Sequence, residues 1–165
     1  MEENTEPVFF WGHNPKNGLI SSLSNWYECT FTDKVNTYTS SEQYMMYQKA
    51  ILFNDTENAQ KIMNAKTPKE AKSLGRKVKN FDKSIWDENA CKIVYDGCLL
   101  KFTQNVELGQ FILSTDNKLI VEASPYDQIW GIGLSAANAK KIPQNEWPGT
   151  NWLGKCLMNV RNSLK

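Results

Sequence analysis

The 165-residue sequence predicts one helix-rich α+β domain with a small N-terminal β-meander. Three observations carry that prediction. The chain is 41% hydrophobic and 22% charged, and its six Trp, six Tyr and seven Phe supply the large apolar area a single core needs. Residues 8–39 read as short β-like runs broken by turn signals. Helix-start signatures and helical spacing of apolar residues dominate residues 40–165. No internal repeat, low-complexity segment or linker divides residues 8–165.

Residues 1–7 are acidic and polar, and they are expected to form a short disordered tail; the same composition is the opposite of a secretory or transit peptide. Val8-Phe9-Phe10-Trp11, then 27–32 and 36–39, make the expected meander, with turns at Asn14-Pro15 and Asn17-Gly18. Ser40, three residues before Gln43, reads as a capping box that opens a helix through Tyr44 to Ala50. Thr67-Pro68-Lys69-Glu70 is a stronger start, with Pro at the first helical position and Glu at the third. A long helix is expected over about 82–103, its face traced by Trp86, Ala90, Ile93, Val94, Gly97, Leu100 and Lys101. Leu119-Ile120-Val121 reads as a short buried strand. Asn151 reads as the cap of a last helix with Leu153, Leu157, Val160 and Leu164 as its apolar stripe.

Composition removes several functions. Nineteen Lys plus Arg against eighteen Asp plus Glu leave a net charge of +1, so no global field holds nucleic acid or an anionic membrane. No apolar run approaches the roughly 20 residues of a membrane span. With one histidine, His13, a Ser-His-Asp triad, an HExxH metalloprotease and a multi-His metal site are all implausible. Cys29, Cys91, Cys98 and Cys156 lack zinc-ligand spacing and read as free thiols, which suits a cytoplasmic or nuclear location. No metal or organic cofactor has a ligand set here, and no obligate protein partner is evident.

Three regions could carry chemistry. Glu42 stands in a helical first turn, where a carboxylate gains about 0.3–1 kcal/mol from the helix dipole. It also shares a face with Met45, Met46 and Lys49, and Lys49 lies about 10 Å further along the axis, so the two charges could bracket a ligand. In the second region a strand ends at Glu122 and Ser124-Pro125 turns the chain. Asp127 and Trp130 come next, on a loop with Gly131 and Gly133. The aspartate and glycines suit a plain tight turn, and equally a carboxylate set beside an aromatic platform. The third region, 61–83, holds eight basic residues against Glu70 and Asp82. Such a run is commonly a solvated helical face, yet Arg76 and Arg161 are the only arginines beside seventeen lysines, and planar phosphate recognition prefers arginine. Asn151, behind Gly149-Thr150, is either a plain cap or the edge of an anion site at a helix N-terminus.

These blocks together resemble a known family. Leu23-Ser24-Asn25-Trp26-Tyr27, Thr39-Ser40-Ser41-Glu42-Gln43-Tyr44 with Gln48-Lys49, and Lys101-Phe102 with Gln104-Asn105 come first. Glu122-Ala123-Ser124-Pro125-Tyr126-Asp127-Gln128-Ile129-Trp130-Gly131-Ile132-Gly133 and Asn151-Trp152-Leu153-Gly154-Lys155-Cys156-Leu157-Met158-Asn159-Val160-Arg161 complete the order. The series is similar to the YbiA-like, or NADAR, superfamily from Phe9 to Leu164. That resemblance implies a single catalytic domain over 8–165 and an N-glycosidase that hydrolyses a ribose C1′–nitrogen bond. The implied substrate is ADP-ribosylated guanine, as a nucleotide or in nucleic acid, or else a phosphorylated ribosylamino intermediate of the riboflavin pathway. Carried over by position, Glu42 and Asp127 are the acidic catalytic pair and Lys49 a second catalytic candidate. Ser24, Asn25, Trp26, Arg76, Trp86, Trp130, Gly131, Asn151 and Arg161 line or support the substrate site. The chain departs from the family pattern at Trp26 and at Asn80-Phe81-Asp82-Lys83. The rival reading is a module that binds ADP-ribose or a nucleotide without cleaving it.

Overall fold

The computed structural model describes residues 5–165. Among them three short strands come first, five α-helices follow in succession, and a fourth strand precedes the last two helices. Strand β1, Val8–Phe10, lies parallel to β4, Ile120–Glu122, in the register Val8 to Ile120, Phe9 to Val121 and Phe10 to Glu122. A separate antiparallel pair joins β2, Phe31–Thr32, to β3, Thr37–Tyr38. The expected meander is therefore two unconnected ladders. After β1 the Asn14-Pro15 and Asn17-Gly18 signals fold into two successive 3₁₀ turns, Pro15–Asn17 and Leu19–Leu23, which carry the chain away before it can pair back. Of the expected tail, residues 1–4 lie outside the described residues, and Glu6 pairs with Lys140 at 2.9 Å.

Helix α1, Ser41–Leu52, begins where Ser40 Oγ accepts from the Gln43 backbone N–H at 3.1 Å. The reciprocal half of the capping box is redirected: Gln43 Oε1 accepts from the Thr39 N–H, and its amide nitrogen donates to the carbonyl of Ile62. That bond ties α1 to α2, Thr56–Met63, a helix capped by Asp55. Helix α3, Pro68–Gly75, has the predicted Thr67 cap, and the Glu70 carboxylate accepts from the Lys66 N–H. It packs on α1 at a close approach, because a Cβ on Gly75 would meet Met46. Helix α4, Lys83–Gln104, capped by Asp82, runs through the centre and presents Ala90, Val94, Gly97, Cys98, Lys101 and Phe102 to the core. Helices α5, Val106–Ser114, and α6, Ala136–Ala139, lead to α7, Trp152–Leu164, which packs on α4 and β4. The main core joins residues of α1 to α5, β1, β4 and α7, with smaller clusters around Tyr38 and around Val121.

Candidate active site

A cavity of about 800 Å³ opens where three parts of the chain converge: the start of α1 with α3, the turn at 24–26, and the segment from β4 to α7. Each part is held by a local device.

On the first wall, helical spacing brings Glu42, Met45, Met46 and Lys49 to the cavity together. Glu42 is 5% exposed, so it is no solvated partner of the helix dipole. Burial pushes its carboxyl up to about 7; Lys72 opposes the rise, the negative charge of Asp127 adds to it, and Lys49 and Arg76 oppose it further. Lys49 is half-buried, its Nζ 4.7 Å from the Phe81 ring centre and 5.7 Å from that of Trp86. Its pKa is lowered by burial and by Arg76, against the pull of Glu42. Helix α3 supplies Lys72, with Arg76 at its C-terminal cap, four residues apart and therefore on one face.

The turn at 24–26 is fixed from below by Lys101. This lysine is 0% exposed, and its ammonium donates to the Ser24 carbonyl at 3.0 Å, near the rings of Phe102 and Tyr27. The Ser24 hydroxyl accepts from the Trp26 N–H, and the Asn25 carbonyl accepts from the Glu42 N–H at 2.9 Å. One buried lysine thus fixes the backbone that seats the first turn of α1. Trp26 forms the rim, with His13 edge-on at 5.6 Å and Lys72 Nζ at 5.7 Å from its ring.

The third wall is irregular chain packed on backbone. Asp127 Oδ1 accepts from the N–H groups of Ile129 and Trp130, both at 2.9 Å, so the aspartate closes its own turn while lining the cavity. Glu122 ends β4 in the same cavity. Its carboxyl is pushed up to about 8, first by burial, then by the charges of Asp127 and Glu42, with Lys72 opposing. Trp130 completes this wall and meets Trp152 edge-on at 5.5 Å.

The cavity gathers Ser24, Asn25, Trp26, Glu42, Lys49, Arg76, Trp86, Asp127 and Trp130 from the residues expected at a site. Three others stand elsewhere. Gly131 is not part of the lining: a Cβ there would lie 2.9 Å from the Glu122 carbonyl and 3.0 Å from that of Asp127, so its smallness lets the loop close. Asn151 is a left-handed residue (φ 54°, ψ 42°) whose side chain caps nothing. It accepts from the Glu122 N–H at 3.0 Å and donates to the Ile120 carbonyl at 2.9 Å, locking β4 to α7. The helix N-terminus it begins is no anion site either, because the N–H groups of Asn151, Trp152 and Leu153 donate to the carbonyls of Gly131, Ile129 and Trp130. Arg161 is buried and donates to Thr115 Oγ1 and the Lys118 carbonyl, bracing the approach to β4.

Sequence reading passed over Glu122 and Lys72. Both left a signal: a carboxylate directly after a buried strand triplet must itself be near the core, and Lys72 sits one helical turn before Arg76. Among the described residues no group of three His, Cys, Asp or Glu side chains is arranged to hold a metal ion, and no helix is long and apolar enough to cross a membrane.

Comparison with known proteins adds to this geometry. A family model described as the NADAR domain matches residues 9–165. A protein of Acanthamoeba polyphaga mimivirus named N-glycosidase R617 is 46% identical over 164 residues, which span 96% of each chain. N-glycosidase Npun_R5314 of Nostoc punctiforme is 33% identical over 131 residues, 79% of this chain and 77% of its own length. The solution structure of Escherichia coli YbiA superimposes with a TM-score of 0.78 at 24% identity, over 97% of this chain and 85% of that one, and shows the same helix-rich α+β fold.

Proposed function

The chain belongs to the NADAR domain family, and from that premise we propose that it is an N-glycosidase cleaving a ribose C1′–nitrogen bond, with ADP-ribosylated guanine, free or in nucleic acid, as its substrate. The observation that carries the reading is the buried Glu42 carboxyl, balanced near neutrality in one cavity with a second carboxylate, three cations and tryptophan walls. The volume falls in the roughly 300–1,000 Å³ range of small-molecule and cofactor sites.

Each group answers one need of the reaction. As the C1′–nitrogen bond lengthens, positive charge develops on the ribose ring, and a carboxylate in a site of low dielectric stabilises it strongly. Glu42 and Asp127 supply that negative charge, and Glu42, titrating near neutrality, takes the proton of the attacking water. Lys49, Lys72 and Arg76 face the phosphates, with Arg76 offering a planar fork for phosphate oxygens. Trp86 and Trp130 cover the apolar faces of sugar and base. Lys49 also offers a covalent route: with its pKa lowered, its amine attacks C1′ of the ring-opened sugar, the C1′–nitrogen bond to the base breaks with its electron pair and the lysine proton going to the base nitrogen, and water then hydrolyses the Lys49 Schiff base to free sugar and amine. Borohydride added during turnover separates the routes, since only a Schiff base is trapped on Lys49.

The test is incubation with ADP-ribosylated guanine and with a phosphorylated ribosylamine, with mass analysis of the products. Free ADP-ribose and guanine are expected. Tight binding without product would make the protein a recognition module instead.

A further inference from the structure

Glu122 stands in the site with no part yet in the reaction, and the leaving base still lacks a proton donor. We propose, on the N-glycosidase reading, that Glu122 is that donor: a neutral carboxyl whose proton passes to the base as the C1′–nitrogen bond breaks.

Glu122 is the last residue of β4, paired in register with Phe10, its N–H held by Asn151 Oδ1 at 3.0 Å and its carbonyl by the Ile132 N–H at 3.0 Å. The backbone is clamped on both sides, so the side chain is aimed by the fold. It projects into the cavity on the wall that also carries Asp127 and Trp130.

Glu122 Oε2 is buried and makes no hydrogen bond to any described residue, which is rare for a polar atom and common where a group serves a ligand. An ionised carboxylate in that position would be costly, whereas a protonated one needs only a single acceptor, which the departing base supplies.

The charged groups around Glu122 favour its neutral form on balance. Asp127 from the loop and Glu42 from α1 disfavour its charge, and Lys72 from α3 opposes them. On the elements packed against it, β1 places Phe10 opposite and Asn151, just ahead of α7, holds its N–H, while Arg161 turns away to Thr115 and Lys118; Lys49, Arg76 and His13 line the same cavity. Burial pushes both carboxyls up, and their places divide the labour: Glu42 stands on α1 in line with Lys49, whereas Glu122 ends β4 with Oε2 unpaired.

The step balances. The proton of Glu122 goes to the base, and the electron pair of the C1′–nitrogen bond goes to that nitrogen. Water oxygen bonds to C1′ and its proton goes to Glu42. Return of that proton from Glu42 to Glu122 through solvent resets the site, and the sum is glycoside plus water giving sugar and base.

The experiment compares wild type with E122Q and E122D. On ADP-ribosylated guanine at pH 7, E122Q should lower kcat at least about a hundredfold with KM changed less than about threefold, E122D should recover part of the loss, and wild-type kcat/KM should fall as pH rises past about 8. A melting series reads the proton without activity. The folded carboxyl keeps its proton between its ordinary 4.5 and about 8, where the unfolded one has lost it, so its stabilising contribution is full below 4.5 and gone above 8. Gln does not titrate, so the Tm of E122Q should gain on wild type as pH rises across that window. A folded E122Q with turnover within about tenfold of wild type, or a Tm difference flat from pH 4.5 to 8, overturns the assignment. A wild type that releases no base from either the guanine adduct or the phosphorylated ribosylamine overturns the N-glycosidase reading itself, and this role with it.

Discussion

The wall built from α1 and α3 and the wall built from β4 through α7 face each other across one cavity, and they place their side chains by opposite means. On the helical wall, period and caps do the placing: Ser40 and Thr67 start the helices, and residues three, four and seven apart reach the site. On the other, an irregular segment is held by backbone against backbone, where Gly131 and Gly149 have no room for a Cβ and Asn151 spans β4 and α7. The helical wall carries the cations and the irregular wall two of the three carboxyls. Perturbation should therefore be absorbed on the first and propagated on the second.

Gly149→Ala is the strongest way to break that contrast. A Cβ there would lie 2.3 Å from the Gly131 carbonyl oxygen and 2.5 Å from the Ile132 carbonyl carbon, both backbone. The expected cost is at the top of the overpacking range, about 3 kcal/mol or more. At roughly 2–4 °C per kcal/mol for a domain of this size, melting by circular dichroism should show a fall of about 6–12 °C or more.

Asp127 comes next, because it closes a turn and faces the cavity. Asp127→Asn keeps the side-chain oxygen that accepts from Ile129 and Trp130 and removes the charge. Steady-state kinetics should show turnover down about a hundredfold, near 2.7 kcal/mol, with Tm nearly unchanged. Near-normal turnover in a folded Asp127→Asn protein would leave the residue a turn-former only.

Arg76→Ala probes the helical wall. It should weaken phosphate-bearing substrates by about 1.5–3 kcal/mol for each charge-assisted hydrogen bond lost, and dephosphorylated analogues far less. Calorimetric titration with both forms measures the difference; equal losses would make Arg76 structural. The smallest effect is expected at Gly75, the helical counterpart of Gly149. Its added Cβ meets only the flexible Met46 side chain, so Gly75→Ala should change stability by no more than about 1 kcal/mol.

The same contrast decides what could be read from sequence. Caps at Ser40 and Thr67, and the shared face of Glu42 and Lys49, are local patterns within one or two helical turns. Asn151 looked like a cap because capping is also local, but its partners Ile120 and Glu122 lie 31 and 29 residues away. Arg161 looked like an anion ligand because arginine is rare here, yet its acceptors, Thr115 and Lys118, are 46 and 43 residues distant. The pairing of β1 with β4 spans most of the chain, and three-residue strands carry too little alternation to announce their partner. Lys101, on the apolar face of α4, showed no reason in sequence for being buried until Ser24 was placed above its ammonium.

The central claim, that the buried carboxyl of Glu42 acts on the reacting sugar, is tested most directly by Glu42→Gln with activity, binding and melting measured on one preparation. Hydrolysis of ADP-ribosylated guanine should fall at least about a hundredfold while substrate binding is retained. The Tm at pH 8 should equal or exceed that of wild type, because above the raised pKa of about 7 the buried charge no longer has to be carried. Preserved hydrolysis together with a stability loss of about 0.3–1 kcal/mol, the signature of a severed charge–dipole contact at a helix start, would contradict it.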